Sequence, residues 1–172
     1  MRVLVVSDTH GELDARIEAL ASGCDLVLHA GDVGADAVLD RLAAQGPEVL
    51  AIRGNNDVPA KWRGDAARIA ACLPVERRID LPGGTLVLVH GDRAGAPARR
   101  HARLRRDHPH ARVIVYGHSH RRCVDRSERP WVLNPGAAGR ARTYGGPSCL
   151  VLTTPAAGWT VTEHRFEPGP RR

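Results

Sequence analysis

The first 32 residues read MRVLVVSDTHGELDARIEALASGCDLVLHAGD. Arg2–Val6 and Asp25–His29 are short apolar runs, and each predicts a buried strand. Between them, Leu13–Ala21 carries apolar residues at helical spacing. A strand, a helix and a second strand in this order predict parallel strands joined by a crossover helix.

The alternation continues beyond this opening segment. The further predicted elements are a helix at Ala35–Ala44, a strand at Glu48–Ile52, a helix at Asp65–Cys72, a hairpin of Val75–Leu81 and Thr85–Val89 around Pro82-Gly83-Gly84, a basic helix at Pro97–Asp107 and a strand at Arg112–Tyr116. An antiparallel region is then predicted from strands at Arg121–Arg126, Trp131–Asn134, Ser148–Thr153 and Trp159–Phe166. We therefore expect one α/β domain at 1–166, with a mixed sheet or two packed sheets, and a flexible tail at 167–172.

Composition excludes several classes of protein. The 172 residues include 42% hydrophobic residues, which is ordinary for a globular domain. No run approaches the roughly 20 apolar residues of a membrane-spanning helix, and the N-terminal apolar run is too short for an export signal. The four cysteines are far apart and show no CxxC spacing. We expect a cytoplasmic protein with reduced cysteines, no membrane association and no zinc-thiolate site.

Polar side chains follow five of the predicted strands, at the point where each strand ends. They are Asp8 and His10, Asp32, Asn55 and Asp57, His90 and Asp92, and His118 and His120. In open α/β sheets, ligands bind beyond the carboxyl ends of the strands. If these strand ends are neighbours, their side chains gather in one pocket.

The chemistry of the set indicates a class of metal. Carboxylate and amide oxygens are mixed with imidazole nitrogens, and thiolates are missing, which suits Mn, Fe, Zn, Ni or Co better than Ca or Mg. Seven candidate ligands exceed what one zinc requires. They suffice for two ions about 3.5–4 Å apart, the spacing of two-metal hydrolytic sites.

The order of these motifs resembles that of the calcineurin-like metallophosphoesterase superfamily. The matching segments are Asp8-Thr9-His10, Gly31-Asp32, Gly54-Asn55-Asn56-Asp57, His90-Gly91 and Gly117-His118-Ser119-His120. The short chain and Asn134-Pro135-Gly136 resemble its small prokaryotic phosphodiesterase branch. The resemblance implies a four-layer αββα sandwich of two mixed β-sheets flanked by helices.

The resemblance also implies roles for the ligands. One ion would be held by Asp8, His10 and His120, the other by Asn55, His90 and His118, and Asp32 would bridge both. Mn²⁺ is the expected metal, with Ni²⁺, Fe²⁺, Zn²⁺ or Co²⁺ as alternatives. The implied reaction is hydrolysis of a phosphodiester by in-line attack of a metal-bridging hydroxide.

Two positions depart from the family pattern. Asn56 stands where many relatives have a His that serves the leaving group, and Asp92 stands where small relatives often have a second His. The general acid is therefore open, with Asp57 and Asp92 as catalytic candidates beside Asn55. For Asp57, a side chain that shapes its own turn is an equal alternative.

The remaining polar residues receive weaker assignments. The resemblance suggests that Asn134 lines the rim of the site and that Arg142 or Arg140 lies near the substrate phosphate, with Arg142 preferred; Asn56 is the other candidate substrate contact. His29 is expected to be packed rather than to bind metal. Four histidines are expected to be solvent-exposed: His101, His108, His110 and His164.

Two functional alternatives stay open. A phosphomonoesterase or nucleotidase would use the same metals, and a retromer component related to this branch shows that the fold can serve as a protein-binding scaffold. The retained ligands weigh against a scaffold. The expected partner is a small phosphate ester; a homodimer is left open, and nucleic acid, suggested only by the basic stretch Arg99–Arg112, is not favoured.

Overall fold

The computed structural model describes residues 1–62, 66–140 and 142–168. In chain order these residues form β1 Arg2–Val6, α1 Ala15–Ala21, β2 Leu26–His29, α2 Asp36–Ala43, β3 Glu48–Ala51, a 3₁₀ turn at Pro59–Lys61, α3 Ala66–Cys72, β4 Glu76–Leu81, β5 Gly84–Val89, α4 Pro97–Asp107, β6 Val113–Val115, β7 Cys123–Asp125, β8 Trp131–Asn134, β9 Ser148–Thr153 and β10 Thr160–Arg165. Every predicted helix and strand is present, with small shifts at the ends. Asp65, the predicted start of α3, and 169–172 of the predicted tail lie outside the described residues.

The strands form two five-stranded sheets. The first has the order β10-β9-β1-β2-β3 and the second the order β4-β5-β6-β8-β7. In the first sheet β1, β2 and β3 are parallel, and β9 and β10 complete it in antiparallel fashion. In the second sheet β5, β6 and β8 are parallel, and β4 and β7 form antiparallel edges.

One part of the predicted antiparallel region is wrong. The strand β8 falls in the region predicted to be antiparallel, and it does pair in antiparallel fashion with β7, but it pairs in parallel with β6. The chain leaves β6, runs back through the edge strand β7, and returns as β8 between the two. The short runs around 121–134 carry no signal for this insertion.

Alternation along the strands builds the four layers. Val3 and Val5 of β1 face the second sheet, where Leu86 and Leu88 of β5 belong to the same buried cluster. Leu4 and Val6 point to the other face, where they meet apolar side chains of α1, α2 and α3. Because successive side chains of a strand face opposite ways, one apolar run fills two layers of core.

Helix α4 covers the outer face of the second sheet. Its Leu104 is buried against Val87, Ile114 and Val132. The layers are therefore helices, sheet, sheet and helix, as the family resemblance implied. Within the described ranges, we find no helix with the length and apolarity that a membrane crossing requires.

Candidate metal centre

The carboxyl ends of the parallel strands in both sheets meet at one edge of the sandwich. Loops that leave them are tied together by backbone hydrogen bonds: Asp8 N–H donates to Gly31 O at 3.0 Å, and Gly117 N–H donates to His90 O at 3.0 Å. Gly31 has φ +90°, and a Cβ there would lie 2.7 Å from the His90 ring. Only glycine allows the two sheets to approach so closely at this edge.

Four side chains converge within this edge and are called here the first donor group: Asp8, His10, Asp32 and His120. Their ligand atoms all lie within 4.8 Å of one another. His120 Nε2 is 3.2 Å from His10 Nε2 and 3.4 Å from Asp8 Oδ1. Carboxylate oxygens and imidazole nitrogens that face one another at these distances form a cation site.

Three further side chains, Asn55, His90 and His118, form a second donor group beside it. Asn55 Oδ1 lies 3.2 Å from His90 Nε2 and 3.0 Å from His118 Nδ1. Asp32 joins the two groups, since its Oδ2 is 3.4 Å from His90 Nε2 and 3.7 Å from His10 Nε2. All seven predicted ligands are thus in one cluster, with Asp32 at its centre.

The backbone at these residues is unusual. Asp8, His10, Asp32, His118 and His120 have φ values of 54°, 49°, 54°, 63° and 56°. Non-glycine residues rarely adopt this left-handed conformation, although Asp and His tolerate it better than most. Such strain collects at functional sites because the surrounding structure holds it in place.

Burial shifts the pKa of Asp8. Burial raises the pKa of Asp8 to about 7, against smaller lowering effects from His90 and the Ser7 hydroxyl. Ser7 Oγ donates to Asp8 Oδ2 at 2.6 Å and holds the carboxylate in one orientation. A cation beside Asp8 would favour its charged form, so proton and metal compete for this carboxylate.

Asp32 and His90 form a buried ionic pair. Burial works to raise the pKa of Asp32, but contacts with His90 and Asn56 outweigh it and hold that pKa well below the ordinary value. Burial would lower the pKa of His90, but the hydrogen bond and charge of Asp32 raise it to about 9. Asp32 is therefore charged at neutral pH, as a bridging ligand must be.

The histidines at the two ends of the site are held in the metal-binding form. Burial lowers the pKa of His10 and of His118, chiefly by disfavouring their charged forms. Neutral imidazole offers a lone pair to a metal. The carboxylates, the amide of Asn55 and the neutral imidazoles of His10 and His118 fit a divalent transition metal, and His90 would have to release its proton to bind one.

Asn56 lies against Asp32. Its side-chain amide donates to Asp32 Oδ2 at 2.8 Å, and its backbone N–H donates to Asp32 Oδ1 at 2.8 Å. The amide Oδ1 lies 3.3 Å from Lys61 Nζ. The structure therefore gives Asn56 a positioning role toward Asp32, where we expected a substrate contact.

Asp57 is fully buried, and its carboxylate is hydrogen-bonded to backbone N–H groups. Its carboxylate accepts hydrogen bonds from the N–H groups of Val33 at 3.1 Å, Gly34 at 2.9 Å and Gly54 at 2.9 Å. These bonds join the loops after β2 and β3. Of the two readings of Asp57, the structure favours the turn-shaping one, and a catalytic acid at this position is not supported.

Asn134 does not line the rim, so its expected contact with substrate is wrong. It is fully buried, and its amide donates to Gly117 O at 2.8 Å and Ser119 Oγ at 3.1 Å. Its Oδ1 accepts from Gly136 N–H at 2.8 Å. All its polar atoms are used inside the protein, because β8 lies beside β6 and brings Asn134 under the loop of His118 and His120.

The other two predicted residues do face the site. Arg142 Nη2 lies 3.2 Å from His120 Nε2 and 3.3 Å from His10 Nε2, at the open side of the first donor group. Asp92 has a side chain 28% exposed, and its Oδ2 lies 3.9 Å from Arg93 Nε. Arg140 points elsewhere, with its Nε 3.8 Å from exposed Glu12, so Arg142 is the better-placed arginine.

The expected exposure of the other histidines is only partly right. His110 is exposed, but His101 is half-buried between Asp125 at 2.7 Å and the Tyr116 hydroxyl at 3.0 Å. His108 and His164 are also only partly exposed. His29 is packed as expected, with its Nε2 2.9 Å from Thr9 Oγ1. Sequence patterns gave no signal for the His101 contacts, because they join α4, β6 and β7.

Comparisons with known proteins agree with this geometry. The domain of the calcineurin-like phosphoesterase superfamily matches residues 1–157. A probable metallophosphoesterase of Methanocaldococcus jannaschii is 30% identical over 142 residues, which cover 80% of this chain and 68% of that relative.

Solved structures show the same fold. Vps29 of Entamoeba histolytica complexed with Zn²⁺ superposes with a TM-score of 0.72 at 19% identity, covering 98% of this chain and all of that chain. A structure described as a novel archaeal phosphodiesterase has a TM-score of 0.71 at 19% identity, covering 95% of this chain and all of that one. These identities show likeness of fold alone. The family match and the Asp/His cluster establish more: the chain belongs to the calcineurin-like phosphoesterase superfamily.

Proposed function

We propose that this metallophosphoesterase is a phosphodiesterase that works with two divalent metal ions, Mn²⁺ by preference. The observation that carries the proposal is the central place of Asp32. Its carboxylate reaches His10 on one side and His90 on the other. A carboxylate placed between two donor groups is suited to bridge a pair of ions.

Within this proposal the first donor group holds one ion and the second donor group holds the other, with Asp32 shared. When bound, such ions lower the pKa of a coordinated water and neutralise charge on the phosphoryl oxygens. The protein keeps the ligands fixed through contacts behind them. Ser7 orients Asp8, Asn56 orients Asp32, and the Ala30 carbonyl lies 2.8 Å from His90 Nδ1 and orients that ring.

Arg142 is the proposed contact to the substrate phosphate. Its guanidinium lies at the open side of the first donor group, beside His10 and His120. Guanidinium groups bind phosphate oxygens in a bidentate manner and stay charged at every physiological pH. A diester carries one negative charge, so this one guanidinium beside the metal ions would be enough to orient it.

The acids available to protonate the leaving group determine which substrate classes can be hydrolysed. Asp57 is fully occupied by backbone donors, and Asn56 cannot act as an acid. Asp92 is the one predicted acid that remains at the edge of the site. With so little acid assistance, we expect aryl phosphodiesters to be hydrolysed much faster than alkyl monoesters.

The test is metal-dependent hydrolysis of bis-(p-nitrophenyl) phosphate. Protein stripped of metal is assayed after separate addition of Mn²⁺, Ni²⁺, Zn²⁺, Co²⁺ or Mg²⁺, with p-nitrophenyl phosphate alongside. Restoration by Mn²⁺ or Ni²⁺, with the diester above the monoester, supports the proposal. Preference for the monoester would instead identify a phosphomonoesterase, and tight metal binding without turnover would identify a binding protein.

Two matched variants distinguish the role of Asp32 in activity from the general effect of losing a carboxylate charge. Asp32→Asn keeps the size of the side chain but loses the charge that both donor groups share, so activity should fall to near the blank. Asp40→Asn makes the same chemical change at an exposed position of α2 and should leave activity unchanged. Equal losses in the two variants would contradict the role of Asp32.

A further inference from the structure

A cleft of about 580 Å³ opens directly beside the second donor group. Asn55 and His90 form part of its wall, so the cleft and the metal centre are continuous. The rest of the wall comes from the loop after β3, the start of β4, the end of β5 and the helix α4. The volume falls within the roughly 300–1,000 Å³ of small-molecule sites.

Part of the cleft wall is apolar. Val58 and Val75 are large hydrophobic residues that remain 40% and 44% exposed, and both line it. Leu104 of α4 and Val89 of β5 complete this surface from the side of the core. An apolar wall that stays open to solvent next to a polar centre is suited to a flat organic group.

The charged residues of the cleft are paired, with one exception. Arg103 pairs with Asp107 at 3.3 Å, Arg93 lies 3.9 Å from Asp92, and His108 lies 3.8 Å from Glu76. Arg53 also lines the cleft, two residues before Asn55. Among residues 1–62, 66–140 and 142–168, its side chain has no ion-pair or hydrogen-bond partner.

Polar side chains adjoin the apolar part of the wall. Glu76 directly follows Val75, and its Cα is paired with that of Val89 across β4 and β5. Glu76 offers carboxylate oxygens and His108 offers a ring nitrogen that donates or accepts. Donors and acceptors beside an apolar surface match the hydrogen-bonding edge of a nucleobase.

We propose that this cleft binds the nucleoside group of a nucleotide-containing phosphodiester. The unpaired Arg53 and the second donor group receive the phosphate end, Val58, Val75 and Leu104 contact the ring, and Glu76 and His108 meet its polar edge. The inference rests on the proposed phosphodiesterase function and adds the class of its substrate. A cleft of this size favours one nucleoside over an extended strand of nucleic acid.

The test measures binding without turnover. Adenosine 5′-monophosphate and ribose 5-phosphate are titrated separately into the Zn²⁺-loaded protein, and amide shifts are followed by NMR, since Zn²⁺ is diamagnetic. Adenosine 5′-monophosphate should shift the amides around Val75, Val89 and Leu104 and bind more tightly than ribose 5-phosphate. Equal affinities with no shifts at these amides would overturn the proposal.

Three variants sharpen the result. Val75→Gln should weaken the nucleotide by roughly tenfold, the scale of a lost apolar contact, with little effect on ribose 5-phosphate. Arg53→Gln should weaken both ligands. Ile69→Gln is the control, because Ile69 is 41% exposed on α3 outside the cleft and should change neither. An unchanged nucleotide affinity in Val75→Gln would refute the assignment.

The experiments can refute either of the two proposals without refuting the other. If no metal supports hydrolysis of bis-(p-nitrophenyl) phosphate, the phosphodiesterase function is wrong, but nucleotide binding in the cleft can still be read from the shifts. If hydrolysis is normal and the cleft amides do not respond to the nucleotide, the function stands and the cleft assignment is wrong.

Discussion

The approach of Gly54 to Asp32 allows a sharp test of the metal centre. A Cβ at position 54 would lie against the backbone nitrogen and Oδ1 of Asp32, and 2.8 Å from its Cγ. Ordinary contact begins at 3.4 Å, so the Cγ of Asp32 would have to retreat by about 0.6 Å, the difference between these distances, and the closer Oδ1 and backbone nitrogen by more. Gly54 itself is held, because its N–H donates to the buried Asp57 and its carbonyl accepts from the Asp57 N–H.

A shift of this size matters for metal binding. Ligand distances in metal sites hold to within about 0.2 Å, and disturbing the groups that orient a ligand costs about 10–100-fold in metal affinity. Gly54→Ala should therefore lower the Mn²⁺ affinity by at least about tenfold and lower the free energy of unfolding by about 1–3 kcal/mol through overpacking. Calorimetric titration with Mn²⁺ measures the first quantity, and urea unfolding of the metal-free protein measures the second.

Gly158→Ala is the matched control. No atom lies within 4 Å of a Cβ added there, and Gly158 is not among the positive-φ glycines. It should leave both metal affinity and stability nearly unchanged. If Gly54→Ala bound Mn²⁺ as tightly as the unaltered protein, Asp32 would not be the central ligand and the two-ion proposal would lose its basis.

Four further predictions concern single side chains. Asn56→Ala removes one of two hydrogen bonds to Asp32 and should cost roughly tenfold in Mn²⁺ affinity, far less than Asp32→Asn; equal losses on titration would contradict a supporting role. Asn134→Ala removes three hydrogen bonds and takes the side-chain acceptor from the buried Gly136 N–H, while Gly117 O keeps the Ser119 N–H as a donor, and should lower the urea-measured free energy of unfolding by about 1–3 kcal/mol. Arg142→Gln should raise KM for bis-(p-nitrophenyl) phosphate by about tenfold with metal content unchanged, since one phosphate contact is lost; a fall in metal content would make Arg142 structural instead. Burial lowers the pKa of His29 to about 3. Between about pH 6.5 and 3, His29 is therefore protonated in the unfolded chain and neutral in the folded chain. The free energy of unfolding should fall with decreasing pH in this window by up to about 1.4 kcal/mol per pH unit, and His29→Gln should flatten that part of the profile relative to the unaltered protein.

Local patterns in the sequence were sufficient to predict the elements and the gathering of the candidate ligands. Apolar runs and helical spacing are properties of neighbouring residues, so Arg2–Val6 and Pro97–Asp107 were predicted with their observed bounds. The gathering of Asp8, Asp32 and His90 at one edge followed from parallel strands whose carboxyl ends must meet.

Interactions between distant segments were not predictable in the same way. The parallel pairing of β8 with β6 and the burial of Asn134 depend on which strand inserts beside which. The contact of Asn56 with Asp32 joins residues 24 positions apart. The left-handed backbone at the ligands has no sequence signal either, because Asp and His occur in every kind of loop.

Asn56 illustrates why the identity of a motif residue must be read with its contacts. In this chain the side-chain amide of Asn56 donates a hydrogen bond to Asp32, and the backbone N–H of Asn56 donates a second one. An amide in this place cannot transfer a proton to a leaving oxygen, but it stabilises the charged form of the carboxylate that joins the two donor groups. Under the proposed phosphodiesterase function, ligand positioning by Asn56 would stand in place of acid assistance, and the stability of the leaving group would then be the main limit on the rate. A steep dependence of hydrolysis on the pKa of the leaving phenol, measured across a series of aryl phosphodiesters, follows directly from that exchange, and a flat dependence would show that Asp92 or another group supplies the proton after all.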